Sequence, residues 1–241
     1  MYLGLGLLKK PKTRLHFEEY TEDFIRFPKS IGNQAIVRNF SDVEDFVEAL
    51  FPTLHKSKKI PETVILTPKN KNMYEINDLC LERYRPDLPV IELQSRDRTY
   101  IPEQDRLLPT EVLNKYNPGG LPRHKLRLKI GCSLMLLRNV NLFEGLANGT
   151  RLKLLSVSKS QKVMKVLIMT GPKGNSNFSL EERTFPLFRI PNSNENDRSI
   201  KMIRNQFPVR LSYCMSINKA QGILQKSPYI LLPVNLCEVK R

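Results

Sequence analysis

The sequence predicts an α/β chain in which a parallel-sheet portion is interrupted by a small, strongly curved β-barrel. Three observations predict it. An apolar run at 64–66, "VIL", ends in Thr-Pro and is followed by apolar residues at helical spacing. A breaker at 117–122, "NPGGLP", precedes a stretch in which apolar residues recur at every second position. After that stretch a second compact apolar run, "FPVRLSYCM" at 207–215, leads into "SINKAQG". At 241 residues and 40% hydrophobic content, the chain has material for a sizeable core.

The elements follow in order. Residues to about 60 read as mainly helical. "SDVE" at 41–44 forms a capping box, Ser41 with Glu44, ahead of Val43, Phe46, Val47 and Leu50, and Pro52 stops the helix. Val64, Ile65 and Leu66 suit a strand buried on both faces, as in a parallel sheet. Met73, Ile76, Leu79, Cys80 and Arg83 then mark a helix ended by Pro86. Strand, polar turn and helix make half of a βαβ unit. Residues 86–122 are rich in proline and charge and hold a domain boundary.

Beyond the boundary, Leu126, Leu128 and Ile130 alternate with Arg127 and Lys129, and Gly131 is a bulge position. "ANGT" at 147–150 carries an Asn-Gly turn. "RLKLLSV" and "KVMKVLIM" read as strands split by "SKSQK"; "GPKGN" turns again, and "RTFPLFRI" is a further strand. Short strands at this spacing form a small barrel. "PNSNENDRS" is a polar connection, and "YILLPV" is the last apolar piece.

Charge divides the chain in two. Residues 1–120 carry 18 basic and 18 acidic side chains, whereas residues 121–241 carry 21 and 6. The formal excess of +15 therefore lies wholly in the second half, which favours a polyanionic partner there over a merely solvated basic face. Basic residues alternate with apolar ones at strand spacing, which argues against an amphipathic membrane helix. "MYLGLGLL" is too short to span a bilayer and no basic segment precedes it, so neither a signal peptide nor a membrane partner is expected. Cys80, Cys132, Cys214 and Cys237 lie far apart, and His16, His55 and His124 have no ligand spacing. Reduced, mostly buried thiols, an intracellular setting and no metal site follow.

"SINKAQG" groups neutral hydrogen-bonding residues (Ser216, Asn218, Gln221) with the point charge of Lys219 and with Gly222, which permits close backbone approach. Such a cluster after a buried strand suits phosphate or sugar contact at the carboxyl edge of an α/β sheet. It equally suits an ordinary strand-to-helix connection ended by Gly222. Thr67 and Asn70 likewise suit a helix cap. Tyr116, Phe143 and Phe178 are either base-stacking residues or core and turn residues.

Taken in order, "VILTPKNKNMYEIN", "GLPRHKLRLKIGCSLMLLRNVNLFEGLANGTRL" and "FPVRLSYCMSINKAQG" resemble the C-terminal half of a PIF-type DNA helicase, in the variety carried by Helitron-like transposons. The resemblance covers most of residues 20 to 233 and is strongest in the middle block. It implies a partial RecA-like parallel-sheet domain with an inserted SH3-like barrel, the 2B domain. Residues 1–19 would be the remnant of an upstream segment, 20–120 the first part of the second RecA-like domain, 121–204 the insert, and 205–241 a truncated return. The family's activity is ATP- and Mg²⁺-driven movement 5′ to 3′ on single-stranded DNA, in repair, recombination or transposon replication, with the nucleus as expected location.

Carried over, Thr67, Asn70, Ser216, Asn218 and Lys219 are implied DNA contacts, beside the basic strand of Lys125, Arg127 and Lys129. Gln221 and Gly222 lie nearest the nucleotide, and Arg14 in "TRL" matches a γ-phosphate contact. The departures are as informative. No G-x-x-x-x-G-K-[ST] and no Asp-Glu pair after an apolar run is present, so phosphate cradle and Mg²⁺ holder are lacking. Where the family continues to an arginine-bearing segment, this sequence reads "LLPVNLCEVKR". The expectation is a fragment that holds single-stranded DNA and does not hydrolyse ATP alone, with no catalytic residue of its own. Its partner would be a first RecA-like domain from another chain or a longer transcript. The alternatives are a non-catalytic single-stranded nucleic-acid-binding module and a product that does not fold.

Overall fold

The computed structural model describes residues 42–56, 61, 63–99, 108–118, 120–169, 184–193, 200, 202–217 and 229–231. Helix α1 (Val43–Leu50) buries Phe46 and Val47 and is capped by Asp42, whose Oδ1 accepts from the Asp45 N–H at 2.8 Å. The cap is therefore one residue later than the capping box predicts; Ser41 lies outside the described residues. All four residues of β1 (Val64–Thr67) are buried, as a strand covered on both faces requires. Helix α2 (Asn70–Arg83) buries Met73, Ile76 and Cys80 on one face, and the Tyr84 N–H closes its last turn on the Cys80 carbonyl at 2.8 Å, two residues ahead of Pro86.

The proline- and charge-rich region holds three elements that its composition hides: β2 (Ile91–Gln94), β3 (Arg96–Thr99) and α3 (Thr110–Lys115). The alternating stretch forms β4 (Lys125–Leu128) and β5 (Ser133–Leu136). "RLKLLSV" is β6 (Arg151–Val157) to the residue, and β7 (Val163–Ile168) and β8 (Thr184–Phe188) follow. Then come β9 (Ile190–Ser193), β10 (Met202–Gln206), β11 (Val209–Leu211), β12 (Cys214–Ser216) and β13 (Tyr229–Leu231). "GPKGN" lies outside the described residues.

The class is α/β, as predicted. β1 lies between β12 and β13, parallel to both. A second, antiparallel sheet runs β11-β5-β6-β7-β8. It is open: among the described residues its edge strands β11 and β8 do not pair with each other, so these strands do not close into a barrel. Its register shift lies in β6 between Leu154 and Ser156, not at Gly131. Gly131 takes φ +86° in the tight turn between β4 and β5, a conformation natural to glycine. Asn148 and Gly149 form the centre of a turn closed by the Thr150 N–H on the Ala147 carbonyl, as the Asn-Gly signal predicts.

Strand pairing crosses both expected boundaries. β2 pairs β4, β3 pairs β10, and β11 pairs β5, each antiparallel. One apolar cluster runs from Phe46 and Ile65 through Met73 and Leu93 to Leu134, Leu152, Val166 and Val209. Burial of such side chains is worth about 1.5–3 kcal/mol each before entropy is counted, so the parallel sheet and the insert stabilise one another. Within the parallel-sheet portion, Asn77 ties α2 to β12. Its Nδ2 donates to the Met73 and Cys214 carbonyls at 2.8 Å, and its Oδ1 accepts from the Tyr213 and Cys214 N–H groups at 3.0 Å. A buried amide with all its bonds made is a strong register pin.

Candidate nucleic-acid interface

Two parallel strands bring distant sequence together. β1 and β12 are in register so that Thr67 lies beside Ser216 at their carboxyl ends, the edge at which open α/β sheets take ligands. Thr67 is 0% exposed, and its Oγ1 has no hydrogen-bond partner. An unpaired buried hydroxyl costs about 1–3 kcal/mol. Ser216 is also buried. Helix α2 starts just beyond, at exposed Asn70, with Lys69 at the cap position and no side-chain cap bond. Neither Thr67 nor Asn70 therefore acts as the helix cap. Asn218, Lys219, Gln221, Gly222 and Arg14 lie outside the described residues.

β4 presents a second set. Lys125 and Arg127 face outward, with side chains 58% and 42% exposed, and each meets one carboxylate: Glu92 at 3.4 Å and Glu82 at 3.5 Å. Exposed pairs of this kind contribute about 0–1 kcal/mol, so a polyanion can displace either carboxylate at little cost. Lys129 differs. It is 3% exposed, and its Nζ donates to the carbonyls of Glu82, Tyr84 and Arg85 at 3.2, 2.7 and 3.3 Å. The alternation that predicts an outward cation ends at Leu128; the turn before Gly131 points the ammonium at the C-terminal end of α2, where a positive charge is favourable. Burial holds its pKa below the ordinary lysine value. It is a helix-end clamp, not part of an exposed basic strand.

Two further cations, Arg204 and Arg210, are not singled out by the sequence reading. Arg204 on β10 is 0% exposed. Its guanidinium grips both Asp97 oxygens (2.7–3.1 Å) and donates to Asn117 Oδ1 and to the carbonyls of Leu113, Tyr116 and Pro122. It thus fastens β3, the end of α3 and the "NPGGLP" breaker to one strand. Beside it, His124 Nδ1 lies 2.8 Å from Ser95 Oγ and 3.6 Å from Asp97 Oδ2. Burial lowers the imidazole pKa, and the Asp97 carboxylate partly opposes this.

Arg210 on β11 lies in a groove formed with α2 and β4, lined by Tyr74, Asp78, Arg123, Lys125 and Arg127. Its Nε and Nη2 are buried with no hydrogen-bond partner. Arg123 stacks over the Tyr74 ring, with Cζ 4.0 Å from its centroid, and reaches Asp78 at 2.8 Å. One signal for Arg210 exists in the sequence. It alternates with Val209 and Leu211, both buried, so its side chain leaves the core face.

Cys80, Cys132 and Cys214 are buried free thiols, and burial pushes the Cys132 thiol up to about 12. Cys237 lies outside the described residues. No group of His, Cys, Asp or Glu among the described residues is arranged to hold a metal ion. The sequence contains no G-x-x-x-x-G-K-[ST] loop. No described helix is long and apolar enough to cross a membrane.

Comparison with known proteins adds the following. Residues 111–156 match the family model "DNA helicase Pif1, 2B domain", which bears out the PIF-type resemblance for that segment. No curated protein matches the chain. Among solved structures, the Pif1 helicase of Candida albicans is similar at 22% identity and TM-score 0.49, over 74% of this chain and 41% of that one. Unliganded Pif1 from Bacteroides sp is similar at 18% identity and TM-score 0.43, over 70% and 45%. Bacteroides Pif1 bound to ssDNA is similar at 19% identity and TM-score 0.43, over 74% and 36%. The chain spans less than half the length of these helicases.

Proposed function

We propose that this chain is the strand-holding portion of a PIF-type helicase motor, binding single-stranded DNA without hydrolysing ATP by itself. One observation carries the reading: the Pif1-type 2B segment presents Lys125 and Arg127 outward, in the half of the chain that holds all the excess positive charge. The Thr67–Ser216 edge supports it, because an unpaired buried hydroxyl at the carboxyl end of parallel strands suits a sugar-phosphate contact. Asn70 follows that edge at the start of α2; by the sequence resemblance alone, Asn218 and Lys219 would also contact DNA, and Gln221, Gly222 and Arg14 would face a nucleotide held chiefly by another domain. That domain, from a longer product or a second chain, would supply the glycine loop and the Mg²⁺ carboxylates; ATP then drives 5′ to 3′ movement. The transposon-type variety, nuclear location and roles in repair or recombination rest on sequence resemblance alone.

The shared core favours this reading over a free-standing barrel module. Strands β2, β3 and β11 of the flanking regions pair directly with β4, β10 and β5, so excising residues 121–204 would break three ladders. The test is fluorescence anisotropy of a labelled oligothymidylate with the full chain, together with an ATPase assay. Binding weakened about tenfold or more by K125Q/R127Q, with no nucleotide turnover, is the expected result. Unchanged binding in that variant, or turnover of ATP by the wild-type chain, contradicts it.

A further inference from the structure

We propose that the groove between α2, β4 and β11 is a seat for a single backbone phosphodiester, with Arg210 as its principal ligand. This deepens the reading above and rests on it for the identity of the occupant. Four cations line the groove: Arg123, Lys125, Arg127 and Arg210. Three of them already meet a carboxylate, Asp78, Glu92 or Glu82. Among the described residues Arg210 meets none, and two of its nitrogens are buried without a partner.

Charge counting identifies the occupant's class. One uncompensated guanidinium calls for one negative charge, which a phosphodiester carries and a fully ionised phosphate monoester exceeds. The guanidinium fork matches two phosphate oxygens, where a lysine would supply only a point charge. Burial alone lowers the Arg210 pKa, with Tyr74 and Cys214 opposing; arginine stays charged nonetheless, so the unmade bonds persist until an anion arrives. Among the described residues Asp78 is the one acidic group lining the groove, and Arg123 at 2.8 Å neutralises it. The Tyr74 ring, one face covered by Arg123, gives the groove an aromatic wall of the kind that lies beside sugars and bases in single-strand sites.

The experiment compares the wild-type chain with R210Q, R210K and K159Q by oligothymidylate anisotropy across a salt series. Lys159 is exposed in the β6–β7 turn and does not line the groove, so K159Q removes an equal charge elsewhere. The seat predicts about tenfold weaker binding for R210Q, a salt slope smaller by about 1, and less than about a twofold change for K159Q. R210K should keep the slope and lose part of the affinity. Equal effects of R210Q and K159Q overturn the seat, as does a Tm several degrees lower for R210Q, which would make the guanidinium structural. If the wild-type chain binds no oligonucleotide, the nucleic-acid reading fails by itself. Inorganic phosphate then decides: a phosphate-dependent rise in Tm that R210Q abolishes supports an anion seat with another source of phosphate, and no rise overturns it.

Discussion

Arg204 and Arg210 stand six residues apart on successive strands, and both guanidiniums are largely withdrawn from water. Around Arg204 every direction is answered: a carboxylate, an amide and three carbonyls from elements 82 to 107 residues away in sequence. Around Arg210 two nitrogens go unanswered. Burying a charge without partners is costly, so the first arrangement serves the fold and the second serves something the fold does not contain. The same contrast separates Lys129, spent on three carbonyls, from Lys125 and Arg127, which lean on single exposed carboxylates.

That contrast breaks most plainly at Arg204. Its replacement by Met should cost about 3–5 kcal/mol, because the buried Asp97 carboxylate loses its arginine partner; urea denaturation measures it, and R204M/D97N should recover part of the loss. A cost below about 1 kcal/mol would place Arg204 in the same class as Arg210. Next in size is K129M, which removes charge-assisted bonds to three carbonyls and should destabilise by about 1.5–3 kcal/mol. Oligonucleotide affinity per folded molecule should change no more than a single charge loss far from the groove produces. A large affinity loss at unchanged stability would return Lys129 to the binding surface.

A smaller effect comes from His124. Its pKa is lower in the folded chain than the ordinary 6.5, so the unfolded chain binds the proton more readily. Its contribution to stability is present above pH 6.5 and is lost as pH falls through the folded value. Thermal melts should therefore show a fall in Tm from pH 7 to 5 that H124Q flattens. A Tm that rises on acidification would reverse the sign. Smallest of all are K125Q and R127Q, each expected within about 0.5 kcal/mol of wild-type stability while weakening oligonucleotide binding. A stability loss comparable to that of K129M would merge the two classes of cation.

Local pattern carried the strands whose own side chains decide their burial. β1 opens with three apolar residues and is buried throughout, and β6 and β7 are bounded by turn residues, so each was legible almost to the residue. β3 was not. "RDRT" contains no apolar residue, and it is a strand because Asp97 finds Arg204 and its backbone finds β10 across about a hundred positions. Lys129 was misread because a two-residue period cannot foresee the turn that ends it. At the site, the resemblance names Thr67 and Ser216 separately as DNA contacts; that they lie side by side comes only from the register of β1 and β12. Arg210 was missed, since an unmade hydrogen bond has no signature in one dimension.

The central claim is that the excess positive charge of residues 121–241 serves to hold a single strand. Equilibrium binding of oligothymidylate to the full chain at increasing salt tests it most directly. The expected result is an affinity whose logarithm falls linearly with the logarithm of salt, with a slope of about −2 to −4 for three to five neutralised phosphates. No measurable binding at low salt, or binding indifferent to salt, would contradict it.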